Sequence, residues 1–373
     1  MKMVAAIAGL AIVFVVLWDA FETIILPRRV KRKVRLARLY YIWAWLSWSA
    51  VARGFPRWKR REAYLSFFGP LSLLFLLVLW AGGLIAGFSL LHWAAGDAAD
   101  LGTCLYFSGT NFFTLGLGDI TPRTPVARLL TVSEAGTGFA FLAIMIGYLP
   151  VIYQAFSRRE INISLLDARA GSPPSAGELL RRHSGQQGVE AVRQLLHEWE
   201  RWSAELLESH LSYPVLAYFR SQHNNQSWLA ALTTILDACA LIMAGLEGTC
   251  ECQARLTFAI ARHAVVDLAQ IFSAPPRRAE HDRLPPADVE RLRHDLSSVG
   301  LQLTKGQETD QRLRELRRMY EPYVGALCRR LLLPLPPWMK PATHRDNWET
   351  SGWDSILRAQ REESPALGDE EHF

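Results

Sequence analysis

Three apolar stretches in the first 153 residues are each long enough to cross a lipid bilayer. They run from Val4 to Pro27, from Phe67 to Trp93 and from Pro125 to Tyr153. A helix rises about 1.5 Å per residue, so about 20 apolar residues cross the ~30 Å hydrocarbon core. Beyond about residue 160 the chain has the composition of a soluble protein. The sequence therefore predicts an all-α membrane protein with a separate region after its last membrane helix.

The first stretch is predicted to be a retained transmembrane helix and not a cleaved signal peptide. A signal peptide would need a small-residue cleavage site after a short apolar core. Here the apolar run continues past Asp19 and Glu22 and is stopped by Arg28. Both acids fall in the last turns of the helix, where they can reach the membrane interface or pair with the arginines that follow.

Lysine and arginine are concentrated on one side of the predicted membrane. The net charge is +5, and twelve Lys and Arg residues but no acid lie between Arg28 and Arg61. Segment 94–124 holds one basic residue, Arg123. The positive-inside rule then predicts an external N-terminus and a cytoplasmic region after Arg159, in a multi-pass protein of the cell (inner) membrane. The clustering gives no uniform basic surface, so the lipid bilayer and not nucleic acid is the expected partner.

A short apolar segment follows the first half of this basic cluster. Tyr40–Ala52 has only 13 residues, three tryptophans and basic flanks. That composition is typical of a helix lying in the membrane interface, and the alternative is a short core helix of another domain. The interfacial interpretation is favoured because both neighbours in sequence are predicted membrane helices.

A glycine-containing loop lies between the second and third membrane segments. The helix-like stretch Leu101–Phe113 is too short to span, and it is followed by the string T-L-G-L-G-D at 114–119. An ion that loses its water in a narrow pore needs replacement oxygens, which consecutive backbone carbonyls can supply. Such a backbone alternates between ordinary and left-handed angles, and glycine adopts the latter at low cost, which explains Gly116 and Gly118. The alternative, a surface turn, is disfavoured because irregular backbone at membrane depth is tolerated only in buried or pore-lining positions.

This loop resembles the filter of the tetrameric potassium channel family, which usually reads T-V-G-Y-G-D. The resemblance covers residues 64–157, as outer helix, pore helix, filter and inner helix. The two strings agree at Thr114, Gly116, Gly118 and Asp119. They differ at Leu115, a mild change, and at Leu117, where the family most often has an aromatic residue.

The resemblance implies a cation channel and not an enzyme. It implies potassium selectivity, with K⁺ as the permeant ion, no other cofactor and Asp119 flanking the filter. One filter segment per chain implies a homotetramer with fourfold symmetry. Ion-binding sites are expected at the backbone carbonyls of Thr114, Leu115, Gly116 and Leu117, with Gly118 completing the filter. Because Leu117 replaces the aromatic residue, a nonselective or sodium-permeable channel is the alternative; a non-conducting membrane signalling protein on the same scaffold is a second.

The third membrane segment contains candidate gating residues. Gly138 is the first candidate for a hinge that bends the inner helix, and Gly136 and Gly147 are rivals. Close helix packing through small residues is an equally good explanation of these glycines. Glu134 is an ionisable membrane residue, and such residues are functional candidates by default. It is expected either to face the cavity or to bond behind the filter, to Ser108, Thr110 or Asn111.

The region after Arg159 is predicted to be helical, with a flexible connector at Ser172–Gly188. Helical periodicity recurs in Val189–Tyr213, Gln226–Leu246, Cys252–Phe272, Ala287–Leu303 and Thr309–Leu333. The sequence offers no βαβ unit with a Gly-rich turn and no β-roll, so a dinucleotide-binding or cyclic-nucleotide-binding regulator is not expected. A cytoplasmic ligand of another, unidentified kind is the alternative. Trp228–Leu246 is apolar enough for a further span, but a buried bundle helix is favoured because Asp237 interrupts it.

Candidate metal ligands in this region are weak. Cys250 and Cys252 are separated by one residue, which is unlike a structural zinc site, and no second pair is evident. His263 and Asp267 lie four apart on one helix face, where His210 and His223 are possible additions, but a polar face or a packed core histidine is the better explanation.

The predicted organisation is a transmembrane helix at 1–27, a basic linker with an interfacial helix at 28–63, a pore domain at 64–157, a linker at 158–188, a helical cytoplasmic domain at 189–360 and a tail at 361–373.

Overall fold

The computed structural model describes residues 1–26, 35–96, 100–185, 188–223, 225–246, 250–277, 281–340, 346–349 and 353. Regular structure in these residues is helical, and the only β pairing among them is an isolated antiparallel bridge between Leu246 and Leu303. The predicted all-α fold class is confirmed. The basic run at 28–34 and the predicted tail at 361–373 lie outside the described residues.

Thirteen α-helices are found in the described part of the chain. They are α1 Lys2–Ala20, α2 Leu36–Arg53, α3 Trp58–Ser66, α4 Phe68–Ala95, α5 Leu101–Phe112, α6 Pro125–Ala170, α7 Ala176–Arg182, α8 Gly188–Ser212, α9 Trp228–Gly245, α10 Glu251–Ile271, α11 Pro286–Ser297, α12 Gln307–Arg318 and α13 Glu321–Leu331. A π-helical turn, Phe21–Ile25, extends α1, and 3₁₀ turns lie at Pro214–Tyr218 and Asn347–Glu349.

Four helical segments have the length and hydropathy of membrane spans: Lys2–Ile25, Trp58–Ala95, Pro125–Ala170 and Trp228–Gly245. The first three overlap the stretches predicted to span. The fourth differs from them because 94% of its most apolar 18-residue window is buried inside the protein, against 22–44% for the others. That burial supports the interpretation of α9 as a bundle-core helix.

The chain divides into two compact units. The membrane unit comprises Met1–Ser157 and Ser209–Arg220, and the helical unit comprises Arg158–Glu208 and Ser221–Phe373. The assignment of 209–220 to the membrane unit is not predicted by the sequence, which groups this segment with the cytoplasmic domain. The chain therefore passes from one unit to the other three times.

The N-terminal helix packs along the outer helix α4 through small residues. A Cβ added to Gly9 would lie 2.6 Å from the carbonyl oxygen of Gly87, and one added to Gly87 would lie 2.7 Å from Val13 Cγ2. Such contacts leave no room for side chains, which is how membrane helices approach most closely. Trp80 and Leu84 of α4 are fully buried in the core that this packing creates.

Two acidic residues at the end of the first helical segment, Asp19 and Glu22, bind residues at the start of α2. The Asp19 carboxylate accepts hydrogen bonds from the Trp80 indole (2.9 Å) and from the backbone N–H of Ala37 (3.0 Å). The second bond satisfies one of the unpaired N–H groups at the start of α2. Glu22 pairs with Arg35 at 3.4 Å. Pairing with a following arginine is thus observed for Glu22, and Asp19 acts as a capping acceptor.

Residues 214–220 complete an aromatic core in the membrane unit. The Tyr218 ring lies 4.9 Å from Trp45 of α2 and 5.0 Å from Phe68 of α4, centroid to centroid. Phe219 covers Gly69 so closely that a Cβ there would lie 2.6 Å from its ring. The α2 helix is therefore fixed on one side by protein aromatics, while Trp43 and Leu46 on its other side are exposed, as expected for an interfacial helix.

In the helical unit, α9 is the central element. Trp228 through Ala244 are all buried. Its one charged residue, Asp237, is paired with Arg283 at 2.7 Å and accepts a hydrogen bond from the Tyr320 hydroxyl. Burying a carboxylate without such partners would be strongly destabilising, so the pair explains how Asp237 is tolerated in an apolar helix.

Two sequence predictions for this unit are corrected. The flexible connector predicted at Ser172–Gly188 is wrong for its described part, because Ser175 caps α7 and Leu179 and Leu180 are buried. The single helix predicted over Thr309–Leu333 is two helices. The second begins at Glu321 with Pro322 in its first turn, where proline's missing N–H carries no penalty.

Candidate functional site

The half-length helix predicted before the loop is α5. Asp100 begins it as an N-cap, with its carboxylate accepting from the Thr103 backbone N–H at 2.8 Å and from the Thr103 hydroxyl at 2.6 Å. Its 12 residues are about 18 Å long, roughly half of a membrane crossing. Cys104, Phe107, Ser108 and Phe112 form its buried face. The helix therefore ends inside the depth of the membrane unit, with its C-terminal carbonyls directly before the loop.

The backbone of the loop alternates as predicted for a carbonyl-lined filter. Positive φ angles occur at Thr114 (57°), Gly116 (54°) and Gly118 (79°), with Leu115 and Leu117 outside that region. The Leu115 N–H donates to the Thr110 carbonyl at 2.8 Å, which ties the loop to the end of α5. The left-handed angle at Thr114 was not predicted, since a non-glycine residue adopts it at a cost.

The loop is open on one side in the single chain. Residues 113–119 are exposed, including Leu115 (61%) and Leu117 (62%). Tyr106 of α5 is also exposed. The loop therefore has one side packed on α5 and the other side exposed.

Behind the loop, Glu134 of α6 lies in a fully buried polar cluster. The Ser108 hydroxyl of α5 donates to Glu134 Oε1, and Glu134 Oε2 lies 3.1 Å from His92 Nε2 of α4. All three side chains are buried. Of the two predicted arrangements, the structure has the hydrogen bond behind the loop, to Ser108, and Glu134 does not face open space. The cluster joins α4, α5 and α6 at one point.

His92 was missed by sequence reasoning. It lies 42 residues from Glu134, near the end of an apolar helix, and no motif connects the two. Its ring also packs edge-on against Phe107 of α5, with centroids 4.9 Å apart. A single histidine in a predicted span beside an intramembrane glutamate is the one signal that could have suggested the pair.

The three candidate hinge glycines have different surroundings. A Cβ on Gly138 would lie 1.9 Å from the carbonyl oxygen of Phe112, so α6 touches the α5 backbone there. A Cβ on Gly136 or Gly147 would meet nothing within 4 Å. Close packing therefore accounts for Gly138, whereas Gly136 and Gly147 have no such requirement within the chain.

The weak metal candidates come together only as pairs. His263 lies 3.7 Å from Asp267, and its side chain is 62% exposed. Cys250 and Cys252 are free thiols. His210 belongs to the membrane unit, while His223 and His263 belong to the helical unit. Within the described ranges, no group of three or more His, Cys, Asp or Glu side chains is arranged to hold a metal ion.

Comparison with known proteins bears on the pore segment. Residues 73–154, from α4 through the loop into α6, match the sequence model of a family described as ion channel. This segment is an ion-channel-family domain. The resemblance inferred from the T-L-G-L-G-D string is confirmed by that match, which lies inside the predicted range 64–157.

Two curated proteins are similar to parts of the chain. An uncharacterized membrane protein of Bacillus subtilis, YdjJ, is 23% identical over 191 residues, which are 49% of this chain and 55% of the relative. The two pore potassium channel c of Oryza sativa subsp. japonica is 40% identical over 53 residues, 14% of this chain and 12% of that channel. The chain thus spans about half the length of the first relative and about an eighth of the second. No solved structure matches it.

Proposed function

We propose that this chain is the subunit of a cation channel that conducts through the loop at 114–118. The observation that carries the proposal is the alternation of left-handed angles at Thr114, Gly116 and Gly118, inside a segment that matches the ion channel family. That alternation is what a stack of inward carbonyls requires. The C-terminal end of α5 places partial negative charge next to the loop, which favours a cation there.

Potassium is the proposed permeant ion. Its sites are the backbone carbonyls of Thr114, Leu115, Gly116 and Leu117, with Asp119 beside the outer end of the filter. The agreement with the potassium family's filter string and the similarity to a plant potassium channel support this choice. The membrane potential supplies the driving force, so conduction requires neither catalysis nor a resident cofactor.

The proposed assembly is a homotetramer in the cell (inner) membrane, with the helical unit in the cytoplasm. The exposed loop at 113–119 supports it, because one chain carries one filter segment and a closed ring of carbonyls needs several. Fourfold rotation of identical chains closes such a ring with equivalent contacts. The placement of Lys and Arg supports the orientation.

Reversal potentials test the proposed function. Purified protein is reconstituted in liposomes, and current is measured under opposing potassium and sodium gradients. The expected reversal lies near the potassium equilibrium potential. A reversal near zero with substantial current would replace potassium selectivity by a nonselective cation pore. Absence of current, from wild type and from the gating variant described below, would leave a non-conducting membrane protein on a channel scaffold.

Leu117 is the position at which selectivity is tested directly. Leu117→Tyr restores the aromatic residue of the resembled filter string. We expect the potassium preference over sodium to be kept or raised, by as much as several-fold, measured as the shift in reversal potential. Leu115→Val, the milder departure, is the matched control and should leave the preference unchanged. Loss of preference in Leu117→Tyr would show that this filter is built differently.

Gating is proposed to act through α6 and the returning segment 209–220. Phe219 covers Gly69 of α4 and packs against Tyr153 and Phe156 of α6, with centroids 6.0 and 5.5 Å away. It therefore links outer helix to inner helix from a segment whose two ends both continue into the helical unit. A movement of those ends would be transmitted to α6.

Removing this link is expected to release the inner helix. Phe219→Ala should raise the potassium flux rate several-fold while leaving the reversal potential unchanged, because the filter is not touched. The exposed Trp348→Ala serves as control and should leave both unchanged. An unchanged flux rate in folded Phe219→Ala protein would contradict the proposed route of gating.

A further inference from the structure

An apolar groove lies on the membrane unit between the interfacial helix α2, the short α3 and the first turns of α4. Its volume is about 540 Å³, within the usual size range of small-molecule sites. It is lined by Tyr40, Ala44, Ser47, Trp48, Val51, Tyr64, Phe68, Leu71, Ser72, Phe75, Val78 and Leu79. Trp48 and Tyr64 stack on each other at 4.5 Å. The groove is thus lined by a mixture of aromatic and aliphatic side chains.

Most polar groups of the lining, namely the hydroxyls of Tyr40, Ser47 and Ser72 and the Trp48 indole, are already used within the protein. The Tyr40 hydroxyl donates to the Ser72 carbonyl at 2.9 Å, and the Ser72 hydroxyl donates to the Gly69 carbonyl at 2.9 Å. The Trp48 indole donates to the Tyr64 carbonyl at 3.3 Å. A guest in the groove therefore meets hydrocarbon and ring faces, so an apolar chain is the guest that it accommodates.

The depth of the groove matches one membrane leaflet. From Phe68 to Leu79 of α4 the lining runs for twelve residues, or about 16 Å. Half of the hydrocarbon core is about 15 Å thick. The groove begins where α4 begins, at the end of the membrane span that α2 and α3 border.

Exposed basic residues lie at the end of the groove where α4 begins. Arg53, Arg57, Lys59 and Arg60 are exposed, and none has a carboxylate within 4 Å among the described residues. Arg60 precedes the lining residue Tyr64 by four positions, which puts both on one face of α3. The nearest acid in sequence, Glu62, is engaged by Arg220 at 3.5 Å. The mouth of the groove therefore carries positive charge that the described part of the protein does not neutralise.

We propose that this groove binds an acyl chain of an anionic phospholipid, whose phosphate is held by Arg57, Lys59 and Arg60. The apolar lining selects the hydrocarbon chain, and the cations select the negative headgroup. Basic residues beside a membrane surface attract anionic lipid in this way. The proposal depends on the membrane location of α4 and not on ion conduction, so it can fail or hold independently of the proposed channel activity.

Photo-crosslinking of the full-length protein in liposomes tests the site. The probes are phosphatidylglycerol and phosphatidylcholine, each with the same diazirine-bearing acyl chain at trace level in unlabelled phosphatidylcholine vesicles. Labelled peptides are mapped by mass spectrometry. We expect labelling on residues 40–51 and 64–79, several-fold stronger from phosphatidylglycerol. In the variant Arg57→Gln/Lys59→Gln/Arg60→Gln, that preference should be lost, so that the two probes label the groove equally.

A matched variant removes the same charge from the other unit. Arg201→Gln/Lys305→Gln/Arg318→Gln replaces three exposed cations of the helical unit and should keep the preference. Ala44→Phe, which fills the groove, should reduce labelling from both probes. Equal labelling by both lipids, or a preference that survives the loss of Arg57, Lys59 and Arg60, would overturn the proposal. So would an unlabelled groove, as expected if a second copy of the chain covers it.

Discussion

Gly116→Ala is expected to abolish potassium conduction while leaving the protein folded. The φ angle of Gly116 is +54°, and an L side chain in the left-handed region costs about 1–2 kcal/mol. Nothing within 4 Å of the chain itself would meet the new Cβ, so the penalty comes from the backbone and not from a clash. The residue relieves that penalty by rotating its peptide, which removes a carbonyl from the filter. In the proposed tetramer the change is repeated four times around one pore.

A control at a second glycine distinguishes the general cost of a left-handed alanine from an effect specific to position 116. Gly300 of the helical unit has φ +84° and also has nothing within 4 Å of an added Cβ. Gly300→Ala should therefore cost a similar amount of stability, measured by thermal unfolding, and leave liposome flux intact. Wild-type flux in Gly116→Ala protein would contradict the assignment of 114–118 as the filter.

The loop illustrates which parts of the site can be predicted from the sequence. The glycines at 116 and 118 are readable because their residue type reports a backbone angle directly. Thr114 adopts the same left-handed conformation without any such signal, because the hydrogen bonds of the α5 end, including Leu115 N–H to Thr110, determine it. This hydrogen-bond pattern is local to the end of the helix, but it leaves no mark on the type of the residue that adopts the left-handed angle.

Partnerships between distant residues were the least predictable features. Asp237 was recognised as an interruption of an apolar helix, but nothing in the sequence identifies Arg283, 46 residues later, as its partner. The return of 209–220 to the membrane unit was missed for a similar reason. Tyr218 and Phe219 form part of an aromatic-rich sequence whose destination depends on the faces of α2 and α4, and helical periodicity does not specify which face accepts them.

The α6 helix contacts α5 along one face, and the residues of that face recur at helical spacing in the sequence. Glu134, Gly138 and Phe141 follow one another at intervals of four and three, and they meet Ser108 and Phe112, which are themselves four apart. Residues so spaced lie on one helix face. Glu134 supplies a hydrogen bond on this face, Phe141 packs at 5.8 Å from the Phe112 ring, and Gly138 between them brings the two backbones together.

Gly138→Ala is therefore expected to destabilise the pore domain and disturb the loop. The new Cβ would lie 1.9 Å from the Phe112 carbonyl oxygen and 2.8 Å from its carbon. Both are backbone atoms that cannot retreat by a side-chain rotation, so α5 and α6 must separate. Overpacking of this kind costs about 1–3 kcal/mol or more. Because Phe112 lies two residues before Thr114, we also expect potassium flux to fall by tenfold or more.

Two alanine variants on the same helix make this result specific. Gly136→Ala and Gly147→Ala introduce the same methyl group where nothing lies within 4 Å in the chain, and they should leave thermal unfolding close to wild type. The comparison also separates the two explanations of Gly138. If the residue served only as a hinge, alanine would alter the opening rate and leave stability equal to that of Gly136→Ala. A clear loss of stability confined to Gly138→Ala would instead establish that the glycine is required for α6 to pack on α5, and that opening must bend the inner helix elsewhere.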